Sequence, residues 1–160
     1  MNVIIREIRQ TELALCVEVI RNSFAGEAES LSLDRSACSD HPAFLRPERL
    51  AFEFGNGVRM FGLFNEAKQI GFIGLDIRER EIIADKLCVL PEYRNNGCGK
   101  RLVELAKRET RNMGYKTLCA KIPAENEALE KWFSEQGFKK TETREIPQPP
   151  YMITRLEAEV

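Results

Sequence analysis

The residues of this chain best suited to chemistry lie between Ile82 and Met113. Ile82-Ile83-Ala84-Asp85-Lys86-Leu87-Cys88-Val89 is an apolar, β-branched run that Pro91 stops, and Arg94-Asn95-Asn96-Gly97-Cys98-Gly99-Lys100 leads into an apolar pattern of helical period. Strand, tight loop and helix in that order leave the amides of the loop and first helical turn without partners, at the positive end of a helix dipole. Such a terminus receives anions, phosphate most often. Gly97 and Gly99 carry no Cβ to hold phosphates off the main chain, and Asn95 and Asn96 tolerate positive φ. Arg94 and Lys100 add positive charge at the loop's edges.

Spacing separates the phosphate-binding loops from one another. A Walker loop ending at Gly99-Lys100 requires glycine at position 94 and Ser or Thr at 101, where the chain has Arg94 and Arg101. A dinucleotide fingerprint beginning at Gly97 requires Gly or Ala at 102, where Leu102 stands. What remains is Arg94-x-x-Gly97-x-Gly99, placed just after a strand that ends in Val89. This resembles the pyrophosphate-arm signature of the GNAT superfamily, the acyl-CoA-dependent N-acyltransferases. The resemblance extends through Leu87-x-Val89-x-Pro91-x-Tyr93-Arg94 before the loop, Lys100-x-Leu102 after it, and Asn126 to Gly137-Phe138 downstream.

The elements that position this stretch are legible from periodicity. Val3 to Arg9 reads as a strand, and Leu13, Val17, Ile20 and Phe24 recur at helical spacing behind Thr11, a plausible N-cap. Gly26 to Pro47 has no periodicity and reads as a long loop, of the kind that often carries function. Arg49 to Phe54 forms a short helix. Val58 to Phe64 and Gln69 to Arg78 form a hairpin, and Ile82 to Val89 a fourth strand. A helix over 97–113, a strand over 117–122 and a helix over 125–136 follow, which implies a right-handed parallel crossover. Phe138 to Ile146 and Tyr151 to Glu157 are two last strands around Pro147-Gln148-Pro149-Pro150. The expectation is a single α/β (α+β) domain over residues 1–160, with a mixed sheet of about seven strands and about four helices in the order β-α-α-β-β-β-α-β-α-β-β, as the GNAT resemblance also implies.

Composition excludes other classes. At 160 residues with 43% hydrophobic content the chain suffices for one domain and its core. A formal net charge of -1 offers no footprint for nucleic acid or an anionic membrane. No apolar run reaches a membrane span and Met1-Asn2-Val3-Ile4-Ile5-Arg6 is not a signal peptide, so a cytoplasmic location is expected. The cysteines at 16, 38, 88, 98 and 119 lack paired metal-site or redox spacing and read as reduced, buried thiols, and no metal is expected. Cys98 alone sits at a predicted helix N-terminus, where a thiolate is stabilised.

Acyl transfer from a thioester to an amine needs a bound acyl-CoA, a polarised carbonyl and removal of a proton from the amine. The resemblance implies that the fourth and fifth strands splay apart and hold the pantetheine of acetyl-CoA between them. Leu87, Cys88 and Val89 would supply main-chain contacts, with the Val89 N–H aimed at the thioester oxygen. Arg94, Asn95, Asn96, Gly97, Cys98, Gly99 and Lys100 would receive the pyrophosphate, and Asn126 would contact the pantetheine arm or simply cap its helix. For the proton acceptor, Asp85 shares a strand face with Leu87 and Val89 if no bulge intervenes, and the alternative is a carboxylate paired with a lysine or arginine. His41, the only histidine, titrates in a useful range and falls in the loop that borders the acceptor site in the family. The family's tyrosine on the later helix, which often protonates the departing thiolate, is replaced here by Phe133, and Tyr151 is the phenol that can substitute for it. With a thiol pKa of ~8.5, the thiolate leaves with only a small deficit even without that acid.

The function expected is an N-acetyltransferase acting on a primary amine of a small molecule or peptide, with acetyl-CoA as co-substrate. Glu27, Glu29, Asp34 and Asp40 suit a cationic acceptor but equally a solvated loop. The alternative is a GNAT-fold module that binds acyl-CoA without catalysis, which Phe133 suggests, and a bulkier acyl group is a third reading. No nucleic-acid or membrane partner is expected, and a homodimer is compatible with all of these.

Overall fold

The computed structural model describes residues 1–145 and 151–160. Seven strands form one sheet in the order β1-β2-β3-β4-β5-β7-β6. The strands are β1 (Val3–Glu7), β2 (Arg59–Asn65), β3 (Lys68–Ile77), β4 (Ile82–Val89), β5 (Thr117–Pro123), β6 (Lys139–Glu145) and β7 (Met152–Glu159). The helices are α1 (Leu13–Ser30), α2 (Pro47–Gly55), α3 (Cys98–Asn112) and α4 (Glu127–Glu135). β4 and β5 pair in parallel across α3 and every other pairing is antiparallel, so the mixed sheet and the element order are as expected. The proline-rich turn lies outside the described residues.

The strands are apolar on both faces because helices cover both. Leu102 of α3, fully buried, packs over Gly71 of β3, where a Cβ would stand 3.3 Å from its Cδ1. On the other face, Cys16, Val17 and Ile20 of α1 are buried, and the Cys16 thiol lies 3.5 Å from the Gln69 amide oxygen. Each such aliphatic side chain contributes about 2–3 kcal/mol on burial.

Two features of α1 differ from expectation. Its N-terminus is set by Glu12 rather than Thr11, which lies within a 3-10 turn over Gln10–Glu12. The Glu12 carboxylate accepts from the Arg9 amide at 2.9 Å and from Arg6 at 2.6 Å. The helix also runs on to Ser30, so Gly26, Glu27 and Glu29 are helical. A Cβ at Gly26 would meet nothing within 4 Å, so this glycine sits on an exposed turn and does not end the helix.

Arg6, with the Arg9 amide, holds the Glu12 carboxyl down at about 2, from an ordinary 4.5. A depressed carboxyl stabilises the fold fully above its unfolded pKa and loses that contribution as pH falls through the folded one. The gap in melting temperature between the wild type and Glu12→Gln is therefore expected to be greatest above pH 4.5 and to close toward pH 2. A gap that is constant with pH would show that Glu12 acts only through packing.

Candidate active site

β4 is paired with β3 along its length but with β5 only at Ile82, Ile83 and Ala84, opposite Leu118, Cys119 and Ala120. Beyond Ala84 the two strands diverge. The cause lies at Lys86, whose φ of +55° is left-handed, and the β3 register shifts between Phe72 and Gly74. Lys86 and Leu87 together oppose Ile73, which makes a bulge, and bulges bend a strand and end its pairing.

The bulge also reverses the alternation. Asp85 pairs with Gly74 and Cys88 with Phe72, on one face, while Val89 pairs with Gly71 on the other. Asp85 and Val89 therefore lie on opposite faces, contrary to the unbulged expectation. Asp85 Oδ2 is 2.6 Å from Lys86 Nζ, and that ammonium also meets Glu53 Oε1 of α2 at 2.6 Å. Burial alone lowers the Lys86 pKa, and the charges of Asp85 and Glu53 outweigh it, so the ammonium is held above its ordinary 10.5.

The main chain beyond the bulge is open on its β5 side. The Leu90 N–H donates to Ile70 O at 2.8 Å, and amides alternate in direction along an antiparallel strand. The Val89 amide accordingly turns away from β3 into the gap, and its carbonyl accepts from Arg94 Nε at 2.9 Å on that same side. The Cys88 main chain faces β3 instead. Its thiol is buried, which pushes its pKa up to about 12 and makes it an inert packing group.

The loop after β4 presents open main-chain amides. The Arg94 amide bonds back to Pro91 O, but among the described residues no acceptor meets the amides of Asn95 through Lys100. Asn95 at φ +63° and Gly97 at φ +78° curl these groups toward one side. Gly97 is required by its dihedral angle, since a Cβ there would point into open space. At Gly99 the constraint is space: a Cβ would stand 3.0 Å from the Trp132 indole, which would have to shift to admit it. Cys98 is buried in the core beneath the loop, and Lys100 is exposed. Arg94, although exposed, turns its guanidinium back onto the fold, where it also donates to Ser23 O of α1 at 2.6 Å.

A cleft of about 970 Å³ opens from the gap, lined on one wall by Leu87, Ile122 and Leu129 and on the other by α1, α2 and the segment between them. His41 is buried here, rather than on a solvated loop. Its Nδ1 accepts from the Ala43 amide at 3.1 Å and its Nε2 lies 2.9 Å from Glu27 Oε2, so Nε2 carries the proton and donates it to Glu27. Asn126 caps α4 through Oδ1, 3.2 Å from the Leu129 amide, and donates from Nδ2 to Glu27 Oε1 at 2.8 Å. Tyr151 lines the same cleft. Burial, the neighbouring Cys38 thiol and the charges of Glu27 and Asp40 hold its phenol well above the ordinary tyrosine range, so it stays protonated.

Sequence reading set Glu27 among four loop acids suited to a cationic acceptor; it is instead helical and faces the cleft. The signal for it was Phe24-x-x-Glu27-Ala28, which continues the inward stripe of α1 past Gly26. Phe133 is buried against Trp132 and Phe138, with both ring centroids 5.1 Å away, and serves as packing at the cleft floor.

A family model described as the acetyltransferase (GNAT) domain matches residues 56–140, more than half of the chain. The chain belongs to the GNAT family. This GNAT domain superposes on the ribosomal-protein-S18-alanine N-acetyltransferase from Escherichia coli with a TM-score of 0.79, at 17% identity over 99% of this chain and 94% of that one. It is similar to the PaiA N-acetyltransferase from Thermoplasma acidophilum, solved in complex with coenzyme A, with a TM-score of 0.73 at 22% identity over 100% of both chains. A putative phosphinothricin N-acetyltransferase gives a TM-score of 0.77 at 18% identity over 99% of both. At these identities the likeness is one of fold. No curated protein sequence matches this chain. No helix among its described residues is long and apolar enough to cross a membrane.

Proposed function

We propose that this GNAT domain transfers the acetyl group of acetyl-CoA to a primary amine of a small molecule or peptide by direct attack on the thioester. The observation that carries this reading is continuity. The outward Val89 amide, the gap beside β4 and the open amides from Asn95 to Lys100 form one main-chain track running from the cleft to an anion nest. A cofactor with a pyrophosphate at one end and an acylated thiol at the other matches both ends of that track.

In this reading the Asn95–Lys100 amides take the pyrophosphate and the β4 edge takes the pantetheine. The Val89 N–H polarises the carbonyl as negative charge develops on its oxygen. Tyr151, protonated in the neutral range, supplies a proton to the departing thiolate. Asn126 orders the α4 end of the gap and borders the arm. Asp85 forms part of the acceptor wall together with Lys86.

Titration calorimetry with CoA and a thiol-release assay with acetyl-CoA and a panel of amines test the proposal together. Saturable CoA binding and amine-dependent thiol release are expected. The absence of the family's tyrosine at Phe133 favours a second reading, a module that binds acyl-CoA without turnover. CoA binding with no release on any amine would establish that one, and no CoA binding would remove both.

A further inference from the structure

Resting on the acetyl-transfer reading, we propose that Glu27 is the group that accepts the proton of the attacking amine, with His41 and Asn126 as the residues that position it. Four part-buried carboxylates border the cleft: Glu27, Glu53, Asp76 and Asp85. Three of them face a permanent cation. Glu53 meets Arg49 at 2.9 Å and Lys86 at 2.6 Å, Asp85 meets Lys86 at 2.6 Å, and Asp76 meets Arg78 at 2.7 Å.

Glu27 is held differently. Among the described residues its two donors are the Asn126 amide and the Nε2–H of a histidine whose Nδ1 lone pair is already occupied by the Ala43 amide. Both donors are neutral, so they aim the carboxylate without cancelling its charge. The same geometry excludes His41 as the proton acceptor, because neither ring nitrogen has a free lone pair. His41 is itself fixed edge-on against Phe24, with ring centroids 6.0 Å apart, and its side chain is 1% exposed.

The placement of Glu27 follows from a chain of contacts. Arg94 joins the Val89 carbonyl to Ser23 O of α1, and Glu27 stands one helical turn beyond Ser23 on that helix. Asn126 follows β5 directly, past Pro123. The carboxylate therefore bridges the ends of β4 and β5 across the mouth of the gap where the thioester would sit. Tyr151 is a further ionisable group close to it, and Cys38 and Asp40 stand near that phenol in turn.

The step balances without another reactant. The neutral amine's lone pair attacks the carbonyl carbon, the C–N bond forms and the C–S bond breaks. Nitrogen, made acidic by the attack, gives its proton to Glu27, and the thiolate gains one from Tyr151, which recovers it from Glu27 or solvent. The products are an acetamide and CoA thiol.

The test uses the full chain with acetyl-CoA and three amine probes: spermidine, a tripeptide with a free α-amine, and tryptamine. Glu27→Gln preserves shape and is expected to lower kcat by about 10²- to 10³-fold, with CoA affinity unchanged by calorimetry. Its rate is expected to lose the pH-dependent limb assigned to the carboxylate in the wild type. Glu27→Asp, which sets the carboxylate back by one methylene, is expected to retain the limb at reduced kcat. His41→Gln, which leaves the carboxylate loosely held, is expected to lower kcat by about tenfold with KM little changed, a split that a merely structural role would not produce. A CoA-binding Glu27→Gln whose kcat stays within threefold of wild type overturns the assignment. So does a loss confined to Asp85→Asn, which would return the proton acceptor to β4. A wild type that binds CoA and turns over none of the probes overturns the acetyl-transfer reading and this one with it.

Discussion

Gly97→Val is expected to lower CoA affinity by about a hundredfold or more while leaving a folded protein. Gly97 sits at φ +78°, where a β-branched residue is strained by about 1–2 kcal/mol. The position is open to solvent, so no packing enforces the angle. The valine variant relieves the strain by returning this residue to negative φ, which turns the flanking amides away from their common focus. A hydrogen bond to a charged phosphate contributes about 1.5–3 kcal/mol, so losing two costs ~3 kcal/mol or more, equivalent to about a hundredfold in affinity. Gly97→Asn, which tolerates positive φ, is expected to retain most of the binding. Calorimetry with CoA reads the affinity and thermal melting reads the fold. Undiminished affinity in a folded valine variant would remove the loop as the pyrophosphate site.

Arg94→Ala is expected to cost about 3 kcal/mol of stability, or a fall of roughly 6–12 °C in melting temperature for a chain of this size. Its guanidinium donates to Val89 O at 2.9 Å and to Ser23 O at 2.6 Å, so truncation leaves two carbonyls without their donor where α1 meets the end of β4. Arg94 is exposed, so water takes over part of the bonding and holds the loss below the sum of two buried charged bonds. Arg94→Lys is expected to rescue less than half, because one ammonium cannot reproduce the two diverging N–H directions of the guanidinium. CoA affinity is expected to fall alongside stability, since the brace sets the loop's exit from β4. A melting temperature within 2 °C of wild type would show that water replaces both bonds.

Much of this arrangement could be read from residue order. The apolar run of β4, its stop at Pro91 and the glycine spacing of the loop are local signals, and local signals survive folding. The type of residue at 97 follows from its own dihedral angle. Three things were not legible. The bulge at Lys86 has no local marker, because a lysine in left-handed conformation within a strand is stabilised by Glu53 from another element. The inward turn of Arg94 depends on a carbonyl 71 residues away. Glu27 looked like one acid among several in a loop, and its role follows from meeting His41 and Asn126, 14 and 99 residues off in the chain. The face on which Asp85 lies hung on the same bulge, since alternation cannot be carried through an extra residue.

That extra residue changes what kind of object the sheet is. A seven-stranded open sheet has two free borders, here β1 and β6. By parting β4 from β5 after Ala84, the bulge creates a third border inside the sheet, with main-chain groups such as the Val89 amide left unpaired. Outer borders invite strands from other proteins. This inner one lies between helices, with α3 packed against β4 from one face and α1 from the other. A chain carrying its own amides can lie there as an eighth strand, paired to main chain on a border that the two helices cover.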